Sequence, residues 1–218
     1  MAKMKTPRLL RGVFVSFEGI DGSGKTTQAR LLFQALKKEK WPVVLFREPG
    51  GTKVAEKLRR ILLQERSEPI AARAEILLYV ASRAQLVEQK IKPALKTKKL
   101  IICDRYVDST TAYQAYGRGF DPGWVEKLNR WGSSEVLPEL TFLIDVPVAV
   151  GRARKKGKLL DRLEREGKSF ETKVYRGYQL LALKHRRIRI INGIPPAAEV
   201  AQRVKKVMDD YLKKSKSK

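Results

Sequence analysis

The sequence predicts an α/β domain with a five-stranded parallel sheet and helices on both faces. Two observations carry that expectation: short, β-branched apolar runs recur five times, and helical patterns fill the gaps between them. Such alternation implies right-handed crossovers and a doubly wound sheet, whose ligands lie outside the carboxyl ends of the strands. At 218 residues and 43 % hydrophobic, the chain can bury one such core, so a single domain over residues 1–212 is expected.

The runs, in order, are Val13–Phe17, Val43–Phe46, Leu100–Cys103, Leu140–Ile144 and Ile188–Ile191. Helical periodicity covers Thr27–Lys38, Val54–Leu63, Ala71–Gln89, Pro122–Val136, Phe170–Lys184 and Ala197–Leu212. Chemistry should therefore sit just after each strand, at 21–26, 47–52, 104–114, Asp145 and 192–195.

The first of these positions holds the sharpest motif. Gly19-Ile20-Asp21-Gly22-Ser23-Gly24-Lys25-Thr26 fits the phosphate-loop pattern and lies between a strand and a helix, the context that the pattern requires. Glycines let backbone N–H groups converge on an anion, and the helix N-terminus adds partial positive charge. Lys25 would reach the β- and γ-phosphates, and the Thr26 hydroxyl would take a Mg²⁺ position. Binding of a nucleoside triphosphate is the expectation.

Composition narrows the setting. Cys103 is the single cysteine, which excludes an intrachain disulfide and suits a reducing cytoplasm. The N-terminal apolar stretch is interrupted by Arg11 and Glu18, so neither a signal peptide nor a membrane span is expected. The formal charge of +24 predicts long-range attraction to polyanions without saying which. Part of it lies in Lys213–Lys218, expected to be a disordered basic tail. No nucleic-acid module or aromatic–basic repeat accompanies the charge, so nucleic acid is not required.

After the third strand stands Asp104. An aspartate there commonly serves as a turn or cap residue, but beside a phosphate loop it places a carboxylate near the metal. Arg105 follows it, and Arg47 arrives from the second strand. Guanidinium groups bind phosphate bidentately, so two arginines at one crevice suggest an acceptor phosphate beside the donor.

Four segments together resemble a thymidylate kinase of the bacterial type. They are Phe17–Thr27, Arg47-Glu48-Pro49-Gly50-Gly51-Thr52, Ala74–Arg83, and Asp104–Gln114 with Gly117-Arg118-Gly119. The resemblance spans about residues 12 to 212. It implies a three-layer phosphate-loop kinase fold and ATP-dependent phosphorylation of dTMP to dTDP in dTTP synthesis, with Mg²⁺, in a cytoplasmic homodimer.

By that resemblance, Gly19, Gly22, Ser23, Gly24, Lys25, Thr26 and Thr27 hold ATP, while Thr26 and Asp104 hold the metal. Arg47 and Arg105 fix the dTMP phosphate beside Pro49. Asp21 faces the sugar 3′-hydroxyl or the phosphate-bound metal water. Tyr79 stacks on thymine, replacing the usual phenylalanine, and Arg83 bonds the base edge. Tyr113 disfavours a ribose 2′-hydroxyl, Ser109, Thr110 and Gln114 line the base pocket, and Asn192 opens the adenine-side loop.

The resemblance implies an arginine supplied either by the phosphate loop or by a mobile lid; this loop carries none, so a lid near 152–168 is expected to supply it. Arg154 is the favoured residue, Arg152 the alternative, and Arg162 a support for the phosphates. Two rivals remain: a kinase for another acceptor, and a nucleic-acid-stimulated ATPase or non-catalytic nucleotide binder.

Overall fold

The computed structural model describes residues 9–64, 69–157 and 161–216. Five strands, β1 (Val13–Glu18), β2 (Val43–Arg47), β3 (Leu100–Asp104), β4 (Leu140–Asp145) and β5 (Ile188–Asn192), form one sheet in the order β2-β3-β1-β4-β5. Every pairing is parallel. The expected α/β class and strand positions hold.

Side chains alternate across the sheet with period two, and both faces are covered. Val13, Val15 and Phe17 join Leu100, Ile102 and Phe142 beneath α1 (Lys25–Lys38) and α9 (Ala197–Lys216). Phe14, Ile101 and Cys103 pack on the opposite face, under α3 (Ala72–Leu86). Glu18 continues the Phe14 and Ser16 row, which sends its carboxylate to that second face.

The helices α2 (Lys53–Leu63) and α6 (Pro122–Gly132) lie near their expected places. Helix α6 stops at Gly132 rather than Val136, because Ser134 and Glu135 adopt positive φ and break the helical backbone. After α3 the chain runs through a π-helical turn, Val87–Ile91, into α4 (Lys92–Lys96), with Pro93 tolerated at the start of the new helix.

Four segments depart from expectation. The stretch after β3 is helical, α5 (Val107–Thr110) followed by a π-helical segment Thr111–Gly117. Residues 148–155, half assigned to a lid, form helix α7 (Val148–Lys155). Helix α8 starts at Gly167, and α9 continues to Lys216, so 213–216 is helical rather than a disordered tail. Lys158, Leu159, Leu160 and residues 217–218 lie outside the described residues.

Candidate active site

The chain leaves β1 at Glu18 and makes a tight loop into α1. At Gly22 φ is 80°, and a Cβ there would lie 2.1 Å from the Gly151 carbonyl oxygen of α7. Only glycine allows the loop to rest on that backbone. Gly24, also left-handed at φ 95°, caps α1, and Lys25 and Thr26 form its first turn. Backbone donors at a helix N-terminus make this an anion cradle.

Parallel register brings three strand ends to the same crevice: Phe17 pairs with Asp104, and Arg47 pairs with Asp104 from the other side. Thr26 Oγ1 donates to Asp104 Oδ2 at 2.6 Å. Asp104 Oδ1 is buried with no hydrogen-bond partner among the described residues. A hydroxyl and a carboxylate with a spare oxygen make a hard-oxygen pair of the kind Mg²⁺ takes beside phosphates. No group of three or more His, Cys, Asp or Glu gathers for a metal among the described residues.

Arg105 sits in the middle of the polar network. Its Nη2 donates to Asp21 and to Tyr113 Oη, and its guanidinium lies 5.0 Å from the Tyr113 ring centroid. Its Nη1 donates to Gly19 O, Ser109 Oγ and Tyr178 Oη at 3.2, 2.9 and 3.0 Å. Lys25 Nζ also donates to Asp21, at 3.1 Å. Burial alone would raise the Asp21 pKa, but Arg105 and then Lys25 hold it far below the usual carboxylate range. Burial and then Arg105 lower the Lys25 pKa, against the pull of Asp21.

Helix α3 supplies the far wall. Tyr79 and Arg83 are four residues apart and share one face. Arg83, 1 % exposed, donates Nε to Glu48, Nη1 to Asn129 at 2.6 Å and Nη2 to Thr110 Oγ1 at 2.8 Å, and Nη2 also pairs with Glu48. Four of its five N–H groups are thereby used, leaving one at Nη1. Gln114 donates its amide to Glu75 at 3.0 Å, which leaves its carbonyl to offer a ligand. Pro49, after a cis Glu48–Pro49 bond, and Arg47 complete one cavity with Asp21, Lys25, Thr26, Tyr79 and Tyr113.

A family model for thymidylate kinase matches residues 17–204. The chain belongs to the thymidylate kinase family. It is 44 % identical to a thymidylate kinase of Fervidobacterium nodosum over 92 % of this chain and all of that one. Identity is also 44 % to one from Caldanaerobacter subterraneus, over 95 % of this chain and all of the relative. A crystal structure of thymidylate kinase from Ehrlichia chaffeensis superposes with a TM-score of 0.74 at 36 % identity, covering 91 % of this chain and 99 % of that one.

Most residues expected on the acceptor side line one cavity, but some hydroxyls and arginines have other partners. Ser109 Oγ lines the cavity yet is engaged by Glu18, Arg105 and Tyr178. Arg47, at the rim, donates Nη2 to both carboxylate oxygens of Glu56 at 2.9 Å. Thr27 is exposed on α1, and Asn192 Oδ1 accepts from Ile194 N, closing a local turn.

The three lid arginines scatter. Arg152 pairs with Glu171 on α8. Arg154 donates to the carbonyls of Ser23, Gly193 and Ile194, so it ties the phosphate loop to the loop after β5. Arg162 reaches Glu75 and the Leu62 carbonyl, not the phosphate loop. Helix α7 fixes the first two, and a buried carboxylate captures the third.

Several participants escaped the sequence reading. Glu75, fully buried, binds Gln114, Arg118 and Arg162, and Arg59 lines the cavity while donating to Pro49 O. Glu18 accepts from Tyr106 N and Ser109 Oγ, with Tyr178 beside it. Burial, and then Asp108, raise the Glu18 pKa, whereas the hydrogen bond from Ser109, the charge of Arg105 and the Tyr106 N–H favour its ionised form. Signals existed: Glu18 ends an apolar strand on its buried face, and Glu75 stands one turn before Tyr79.

Proposed function

We propose that the phosphate loop and the Tyr79–Arg83–Tyr113 cavity hold donor and acceptor of one phosphoryl transfer. The activity is that of the family, ATP-dependent phosphorylation of dTMP to dTDP. The observation that carries the residue reading is Arg105, which touches Asp21 of the phosphate loop and Tyr113 of the acceptor cavity at once. An arginine so placed can hold the acceptor phosphate and neutralise charge on the moving group.

Thr26 and Asp104 would hold Mg²⁺, which when bound neutralises charge on the donor phosphates. Lys25 exchanges Asp21 for the donor phosphates, and the loop glycines present their N–H groups. Tyr79 stacks on the base. The free Arg83 N–H and the Gln114 carbonyl offer a donor and an acceptor, which match thymine O4 and N3–H. Cytosine presents the reverse pair and is rejected, because mismatched buried polar groups go unpaired. Tyr113 fills the space beside the sugar. No general base is needed for an acceptor phosphate that is already dianionic.

Arg154 is read as a clamp between phosphate loop and adenine-side loop, with Arg152 and Arg162 outside the transfer. Leu77 on α3 and Trp131 on α6 are 56 % and 76 % exposed, and these packed helices support a homodimer surface. No described helix is long and apolar enough to cross a membrane, and a buried free Cys103 fits a cytoplasmic setting.

The deciding experiment measures ADP release from Mg·ATP with dTMP, dUMP, dCMP, dGMP, AMP or single-stranded DNA. Turnover with dTMP, weaker with dUMP and absent with dCMP, is expected. Equal turnover with dCMP would overturn the base contacts, and stimulation by DNA alone would overturn the acceptor reading.

A further inference from the structure

Arg105 adopts φ 69°, a left-handed conformation that costs a non-glycine residue about 1 kcal/mol and needs surrounding contacts to persist. Its main-chain N donates to Phe17 O at 2.9 Å, and the next N–H, of Tyr106, donates to Glu18 Oε1 at 2.7 Å. One residue of β1 and its neighbour thus hold the backbone on both sides of the arginine.

The side-chain contacts are more telling. Arg105 Nη1 can only donate, so the Ser109 and Tyr178 oxygens must turn lone pairs toward it. Each hydroxyl has one proton, which must then point elsewhere. Glu18 Oε2 lies 2.5 Å from Ser109 Oγ and 3.3 Å from Tyr178 Oη, and the two hydroxyls are 2.8 Å apart. Glu18 is 1 % exposed, so water does not compete for this role.

We infer that Glu18, in its ionised form, is a positioning residue for phosphoryl transfer: by accepting protons from Ser109 and Tyr178, it aims their lone pairs at Arg105 and holds that guanidinium at the acceptor phosphate. The inference rests on the reading that Arg105 binds that phosphate. A glutamine at 18 keeps the shape but offers one acceptor oxygen. Its amide then faces either the Tyr106 N–H or the two hydroxyls, and in both cases donors oppose donors.

The test is the full enzyme with Glu18→Gln, Arg105→Lys and the double substitution, with dTMP and ATP affinities measured by calorimetry alongside kcat and KM. Expected for Glu18→Gln is a tenfold or larger loss of dTMP affinity with ATP affinity changed less than threefold. In the Arg105→Lys background, Glu18→Gln should cost less than threefold more. Unchanged dTMP affinity in Glu18→Gln, beside weakened affinity in Arg105→Lys, would overturn the inference alone. Equal losses for both nucleotides would overturn it too, since a general packing role predicts that. Unchanged affinity in Arg105→Lys would instead overturn the reading of Arg105 and the inference with it. Should Glu18→Gln fail to fold, Ser109→Ala with Tyr178→Phe breaks the same relay, and the same affinities decide.

Discussion

Thr26 and Asp104 stand 78 positions apart, and the Thr26 hydroxyl donates to Asp104 Oδ2 at 2.6 Å. The contact exists because β1 and β3 are neighbours in register, which sets the start of α1 beside the end of β3. Removing the divalent cation with a chelator should abolish turnover, and Asp104→Asn should lower kcat by about a hundredfold or more, the loss of a few kcal/mol of charge stabilisation. Turnover within threefold of the parent would remove Asp104 from the metal site.

Glu75 gathers Arg118, Arg162 and Gln114 around a carboxylate with no exposed surface. Glu75→Gln takes the carboxylate partner from Arg162 and leaves Arg118 with Glu166 alone. Urea unfolding should show a loss of about 2–4 kcal/mol. A change under 0.5 kcal/mol would mean that the cluster adds nothing to stability.

Tyr79 contributes its ring face rather than its hydroxyl to the proposed base contact. Tyr79→Phe should therefore keep the dTMP KM within about twofold, whereas Tyr79→Ala should lose about 1–3 kcal/mol of dTMP binding. A large defect in the phenylalanine variant would assign the work to the hydroxyl.

Asp21 is held ionised by Arg105 and Lys25, so its folded pKa lies below the unfolded value of about 4. A depressed carboxylate stabilises the fold above the unfolded pKa, and that contribution fades as pH falls through and below it. Thermal midpoints scanned from pH 6 downward should fall more steeply for the parent than for Asp21→Asn. Parallel curves would show that Asp21 has no part in acid unfolding.

The phosphate loop and the sheet were legible because they depend on local pattern: glycines at fixed spacing, strands with apolar alternation, and a helix following at once. The π-helical segment Thr111–Gly117 was not, since its sequence lacks a distinct period and it forms against α8. Arginine roles were the least legible. A guanidinium on a long, flexible stem takes whichever carboxylate or carbonyl the fold brings near, as Arg162 takes Glu75.

By itself, then, the sequence determined the α/β class, the five strands and the phosphate loop with Lys25 and Thr26. Those features follow from backbone stereochemistry and from which residues can be buried within a few positions of one another. Tertiary structure alone decided that Arg154 clamps two loops, that Arg162 turns to Glu75, and that Glu18 faces Arg105 through two hydroxyls. These partners lie tens of positions apart, and only the strand order and the packing of α7 and α8 on the sheet bring them within hydrogen-bond reach.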